Sequence, residues 1–143
     1  MREESGVHLW LILMKAHEAM RRHAEHHVQS LGIGFSDFAV LEVLLHKGPT
    51  PVNQIGRRVR LTSGSITAAV DRLERKGLVE RHGQAEDRRT RLVHLTAAGR
   101  QLISCAFADH EAAMERAAGG LSPAERAQAA ALLKKLGKHA DKV

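Results

Sequence analysis

The sequence predicts a mostly α fold with one small β element, and three observations carry that prediction. Apolar residues recur at helical spacing in six stretches. Hydroxyl caps, a proline at the first helical position and glycine stops punctuate those stretches. Only residues 78–82 and 91–95 alternate as strands do. At 43% apolar and 27% charged, 143 residues fit one globular domain, or a small domain plus an oligomerisation element. Only seven residues are Phe, Trp or Pro and none is Tyr, so the core must be aliphatic and stacking on single-stranded nucleic acid has little to work with. A single cysteine, Cys105, excludes an internal disulfide framework and a Cys-based zinc finger. The most apolar run, Leu9 to Met14, is far too short to span a membrane, and the N-terminus lacks the features of a signal peptide. The expectation is a cytoplasmic protein with no membrane partner.

The first helix is expected from Gly6 to Ser30, with Leu9, Leu13, Ala16, Met20, Ala24 and Val28 as its stripe and Trp10 and Ile12 widening it. A stripe that long in a small domain points to a partner chain. Leu31-Gly32-Ile33-Gly34 stops it. Ser36 is expected to cap a second helix, with Phe35 stapled on Val40 and with Phe38, Leu41, Leu44 and Leu45 facing a core. Lys47-Gly48-Pro49 ends that helix. Thr50-Pro51 reads as a capped start with proline at the first position, opening a short third helix to about Arg58. After a tight turn, Thr62 or Ser63 caps a fourth helix that Gly77 ends, with Ile66, Val70 and Leu73 on its core face. The two strands follow, joined by a polar loop from Gly83 to Thr90. Thr96 caps a fifth helix to about Ala118, and Gly119-Gly120 breaks it. Ser122-Pro123-Ala124-Glu125 is a capping box that starts a last helix through about Leu136.

A short helix, a tight turn, a second helix with a polar start and a hairpin behind it make a winged helix-turn-helix. The charge supports that assignment. Residues 47–100 hold 12 Lys/Arg against 5 Asp/Glu, a net of +7, while the remainder holds 10 against 11. The whole positive excess sits in the middle of the chain, as a nucleic-acid-binding module requires. Ser63, Ser65, Thr67 and Arg72 lie off the apolar stripe of the fourth helix, at and beyond its positively polarised N-terminus. Such a start can enter a DNA major groove. The alternative is an ordinary capped surface helix.

Three blocks at this spacing resemble the MarR family of regulators. They are Asp71-Arg72-Leu73-Glu74-Arg75-Lys76-Gly77-Leu78-Val79-Glu80-Arg81, then Glu86-Asp87-Arg88-Arg89, then Leu95-Thr96-Ala97-Ala98-Gly99. The resemblance covers roughly residues 7 to 137. Residues 37–42, 46–48 and 62–67 are similar to the MhqR-like subgroup of quinone- and phenol-responsive repressors. The resemblance implies one MarR-like domain over 1–143, with dimerisation helices at 6–31 and 97–143 and a winged helix-turn-helix at 35–95. It implies a homodimer on a pseudopalindromic double-stranded DNA operator, probed by Ser63, Gly64, Ser65, Thr67 and Arg72 in the major groove. In the wing, Arg89 would enter the minor groove, Asp87 would orient it, and Arg88 would contact phosphate or stay solvated. The alternative for the wing is a solvent-exposed ion pair in a loop.

Of the helix residues only Arg72 offers the fork that grips guanine strongly; Ser and Thr are permissive readers, so wing and DNA shape must share the specificity. The resemblance also places an effector pocket between the dimer helices and the winged domain. Trp10, Met14, His17 and Phe38 would line it for a small aromatic effector that releases a repressor. Packing of the same residues in a dimer core is the competing reading. His23, His26 and His27 share one helix and invite a metal, but Arg21 and Arg22 oppose a cation, so a solvated or dimer-lining face is expected and no metal or cofactor. His17 and His110 read as satisfied core or pocket histidines, and Cys105 as a buried, unreactive thiol. No carboxylate pair, nucleophile–base set or phosphate loop marks an enzyme, and no catalytic residue is expected. The competing functional readings are a winged-helix architectural or protein-interaction module without base readout, and a metal-responsive regulator.

Overall fold

A computed structural model describes residues 2–83 and 91–143 of the chain. Its elements run α1 (Gly6–Gln29), α2 (Phe35–Lys47), β1 (Thr50–Pro51), α3 (Val52–Val59), α4 (Ser63–Arg75), β2 (Val79–Gly83), β3 (Arg91–Leu95), α5 (Ala97–Ala117) and α6 (Pro123–Ala140). They form two compact units, one of Met1–His23 with Ala112–Val143 and one of Ala24–Glu111.

The Ala24–Glu111 unit holds the main core. Val28, Phe38, Leu41, Leu44, Ile55, Ile66, Val70, Leu73, Val79, Val93 and Ile103 are all fully buried. All but one of these are aliphatic, as the aromatic-poor composition requires. The helical spacing of Ile66, Ala69, Val70 and Leu73 turns one stripe of α4 into this core and leaves the opposite face to solvent.

The sheet has three antiparallel strands in the order β1-β3-β2. β2 and β3 pair from Val79↔Leu95 to Gly83↔Arg91, and β1 adds Thr50↔Val93 and Pro51↔Leu92. Here the structure departs from the expectation that Thr50-Pro51 starts a helix. Thr50 Oγ1 donates to the Gly48 carbonyl at 2.8 Å rather than capping, and α3 begins at Val52 with no side-chain cap. Proline suits an edge strand, where its missing N–H leaves no ladder bond unmade. Ser36 is likewise not a cap: the cap position falls two residues earlier, at Gly34, and no side chain caps α2.

Behind the hairpin, α5 is fastened tightly to the residue before β2. The Thr96 N–H donates to the Leu78 carbonyl at 3.1 Å, Thr96 Oγ1 donates to the Gly77 carbonyl at 2.7 Å, and the Gly99 N–H donates to Thr96 Oγ1 at 3.0 Å. A Cβ on Gly99 would stand 1.9 Å from the Leu78 carbonyl oxygen, so only glycine fits there.

In the other unit, Ser122 and Glu125 close the expected capping box at the start of α6. The Glu125 carboxyl is held below its ordinary range by the Ser122 N–H and hydroxyl. Arg126 of α6 pairs with Glu115 of α5 and donates to the carbonyls of Ala118 and Leu121. No residue of α6 is buried, and Leu9, Trp10, Ile12, Met14, Leu132 and Leu133 are exposed.

Candidate nucleic-acid interface

The site grows from the start of α4. Thr62 is its N-cap: the Ser65 N–H donates to Thr62 Oγ1 at 3.2 Å, and the Thr62 hydroxyl donates to Ser65 Oγ at 2.9 Å. Because Ser65 Oγ accepts that bond, its own proton remains available to an outside acceptor. The Thr67 hydroxyl donates back to the Ser63 carbonyl at 2.8 Å, which leaves its oxygen as an acceptor. Ser63, Gly64, Ser65 and Thr67 are all exposed. Nothing lies within 4 Å of where a Gly64 Cβ would stand, so the backbone there is open to close approach.

Spacing along α4 shows which residues point away from the core. Ile66, Ala69, Val70 and Leu73 face inward, which turns Gly64, Ala68, Asp71 and Arg75 outward at helical intervals. Ser65 and Arg72 flank this row on one side, and Ser63 and Thr67 on the other. Ala68 and Arg75 thus belong to the outward face, although the sequence reading did not single them out; the core stripe itself was the signal that could have found them. Arg75, Arg57, Arg58 and Arg60 are exposed, and none of them forms an ion pair among the described residues. Arg60 ends α3 in the left-handed region at φ 57°.

Arg72 is placed differently from the sequence expectation. Its Nη2 and Nε donate to the two Asp37 oxygens at 2.8 and 3.3 Å. The Asp37 side chain is 3% exposed and the Arg72 side chain 44%. A buried carboxylate needs a cation, and Arg72 supplies it across 35 residues of sequence. The same hydrogen bond, with the Coulomb attraction behind it, raises the guanidinium above its ordinary value. Arg72 therefore does not present a free fork.

Arg81 of β2 makes a second clamp that sequence reasoning missed. It pairs with Asp71 at 2.6 Å and Glu74 at 3.0 Å, and its N–H donates to Glu74 at 3.2 Å. Two acids on the groove-reader candidate are thereby neutralised by a cation that is itself mostly buried. The signal was the pair of carboxylates three apart on a helix otherwise suited to phosphate. A recess of about 620 Å³ opens beside them, lined by Pro51, Val52, Asn53, Gln54, Thr67, Arg81 and Arg91. The wing residues Asp87, Arg88 and Arg89 lie outside the described residues.

The expected pocket residues do not share one setting. Trp10, Met14 and His17 occupy exposed positions of α1, whereas Phe38 is 1% exposed in the core of the other unit. Phe38 is thus a core side chain, with its ring against His110, and not the wall of an open pocket. His110 is half-buried in the core, and its buried Nδ1 has no hydrogen-bond partner among the described residues. His23 and His26 are exposed, while His27 reaches the Ala106 carbonyl. Cys105 is exposed rather than buried, because Ile103 and Ala106 take the inward positions of that turn.

Comparison with known proteins agrees with this architecture. The MarR family model matches residues 31–90. The chain is 36% identical over 137 residues to the HTH-type transcriptional regulator MhqR of Bacillus subtilis, covering 96% of this chain and 94% of MhqR. Among solved structures, a probable transcriptional regulator from Pseudomonas aeruginosa superposes with a TM-score of 0.79 at 28% identity, covering 94% of this chain and 99% of that one. Bordetella bronchiseptica BpsR, whose structure concerns regulation of its DNA binding by 6-hydroxynicotinic acid, gives 0.80 at 25% identity with 96% of each chain covered. A helix-turn-helix with its second helix polar and outward, backed by a three-stranded wing sheet and matched along nearly its whole length by such regulators, places this chain in the MarR family of winged helix-turn-helix, DNA-binding transcriptional regulators, which are not enzymes.

Proposed function

We propose that the protein is a homodimeric repressor that reads a pseudopalindromic operator and leaves it when a small aromatic effector binds. The observation that carries the DNA reading is the outward face of α4. Ser63, Gly64, Ser65 and Thr67 offer short polar groups and open backbone, with Arg57, Arg58, Arg60 and Arg75 exposed around them. Ser65 donates, Thr67 accepts, and the arginines meet phosphate. Arg72 orients the helix through Asp37 instead of gripping guanine outright. Arg89, supported by Asp87, enters the minor groove, and Arg88 meets phosphate.

The homodimer is supported by apolar side chains left open on α1 and α6: Leu9, Trp10, Ile12, Met14, Leu132 and Leu133. Residues 6–31 and 97–143 serve as the dimer helices, and 35–95 as the reader. Two readers then sit about one helical turn apart on DNA, and the effector acts by favouring a dimer with a different spacing. Trp10, Met14 and His17 are the side chains available to an aromatic effector; the small aromatic acid that regulates BpsR is consistent with that class. The compartment is the cytoplasm, where the DNA is.

The test is a gel shift on a duplex from immediately upstream of the protein's own coding sequence against a scrambled duplex of equal length. Preference for the upstream duplex, lost steeply with salt, is expected. Equal affinity for both would sink the repressor reading in favour of an architectural module. Light scattering that finds a monomer at the concentrations of the shift would sink the dimer.

A further inference from the structure

His110 stands where three helices converge. Its ring centroid is 5.0 Å from that of Phe38 on α2, 5.9 Å from that of His27 on α1 and 6.4 Å from that of Phe107, one turn back on α5. Phe107 in turn meets His46 of α2 edge-on at 4.6 Å. His27 Nε2 lies 3.2 Å from the Ala106 carbonyl oxygen; a carbonyl only accepts, so His27 donates from Nε2. The buried Nδ1 of His110 has no partner among the described residues. The ring is half-buried with Nδ1 turned inward, so the junction of the three helices carries a titratable group.

A path of contacts runs from this ring to α4. Phe38 is adjacent to Asp37, and Asp37 holds Arg72 of α4 at 2.8 Å. We propose that His110 is a proton-operated latch: in mild acid its ring takes up a proton, the packing of α1 and α5 on α2 loosens, and the Asp37–Arg72 support of the reader helix loosens with it. The second half rests on α4 being the DNA reader.

The direction follows from the surroundings. Burial, the largest influence, disfavours the imidazolium, and His27 facing it from α1 disfavours it too. Glu42, facing it from α2, opposes both, and the net effect holds His110 below the ordinary value of 6.5. The unfolded chain therefore takes the proton more readily than the folded one. The stability His110 protects is complete above the ordinary value and is lost as pH falls through the lowered one.

The test compares wild type, His110→Phe and His110→Gln by histidine ring NMR titration, by urea midpoint and by affinity for the upstream duplex, at about pH 7.5 and about pH 5.5. The His110 ring should titrate below the ordinary histidine value. Wild-type affinity should fall about tenfold in acid and that of His110→Phe less than about threefold, with the urea midpoints following the same order. His110→Gln, polar but not titratable, serves if the phenylalanine variant fails to fold. Titration of His110 at the ordinary value, or identical pH profiles for all three proteins, would overturn the latch. Equal binding of upstream and scrambled duplex by wild type at the higher pH would instead sink the DNA-reading role of α4, and the urea midpoints would still decide the latch.

Discussion

Arg72→Ala separates two ways in which one arginine can serve a DNA-binding helix. The substitution leaves Asp37, 3% exposed, without its cation. Removing one partner of a fully buried ion pair costs about 3–5 kcal/mol. Here the guanidinium is 44% exposed, so water already screens part of the attraction and can enter once it is gone. That discounts the loss to about 1–2 kcal/mol. With an ordinary urea dependence the midpoint should fall by about 1 M. Asp37→Asn should cost less, because an amide tolerates burial better than an unpaired carboxylate. The double variant should be less unstable than the two single losses summed, with a coupling of about 1 kcal/mol. The assay is urea denaturation of all four proteins followed by circular dichroism, with operator affinity measured on the same samples. If Arg72 instead grips guanine, the midpoint stays at the wild-type value while affinity drops by the about 1–3 kcal/mol that a bidentate base contact supplies. That outcome would refute the tether.

Gly99→Ala should destabilise by at least about 2–3 kcal/mol, because the new methyl meets backbone that cannot rotate aside, and a thermal melt within a degree or so of wild type would contradict it. Arg81→Gln should uncover Asp71 and Glu74 on the reader helix and weaken operator binding about tenfold at low salt. Fluorescence anisotropy across a salt series checks this, since the deficit should shrink as salt screens the two carboxylates. Thr62→Ala removes the cap of α4 and should cost about 1 kcal/mol in the urea midpoint, against a few tenths for Thr62→Gly. At the start of α6 the bonded Glu125 carboxyl contributes stability above its ordinary value of 4.5 that fades as pH falls through the lowered one. Glu125→Gln should remove that acid dependence from helix content measured by circular dichroism, whereas Ser122→Ala, which keeps the backbone N–H, should only reduce it.

Local signals in the sequence carried most of the fold. Ile66, Val70 and Leu73 repeat at helical spacing and are core; Thr62, Thr96 and Ser122 cap the helices they precede. Errors arose where a local signal had a distant competitor. Thr50-Pro51 has every mark of a helix start, yet Val93 and Leu92, some forty residues on, recruit it as an edge strand. The site divides in the same way. The polar start of α4 and its exposed arginines follow from spacing. The Asp37–Arg72 tether and the Arg81 clamp on Asp71 and Glu74 do not, because each joins elements whose proximity only the folded core creates. Cys105 and His110 sit beside apolar neighbours in sequence. Which side of α5 turns inward was decided by Ile103 and Ala106, and a stripe that wide left the boundary open.

The contact between Gly99 and the Leu78 carbonyl has a mechanical consequence. With a backbone atom where a side chain would stand, and Thr96 bonded to both Gly77 and Leu78, the joint between sheet and α5 has no room to flex. A joint without play transmits displacement instead of absorbing it. A tilt of α5 must carry β2 and β3 along as a crank carries its shaft, so the hairpin is steered from its root. In such a linkage the fixed point is the contact of Gly99 with Leu78, made by a residue with no side chain.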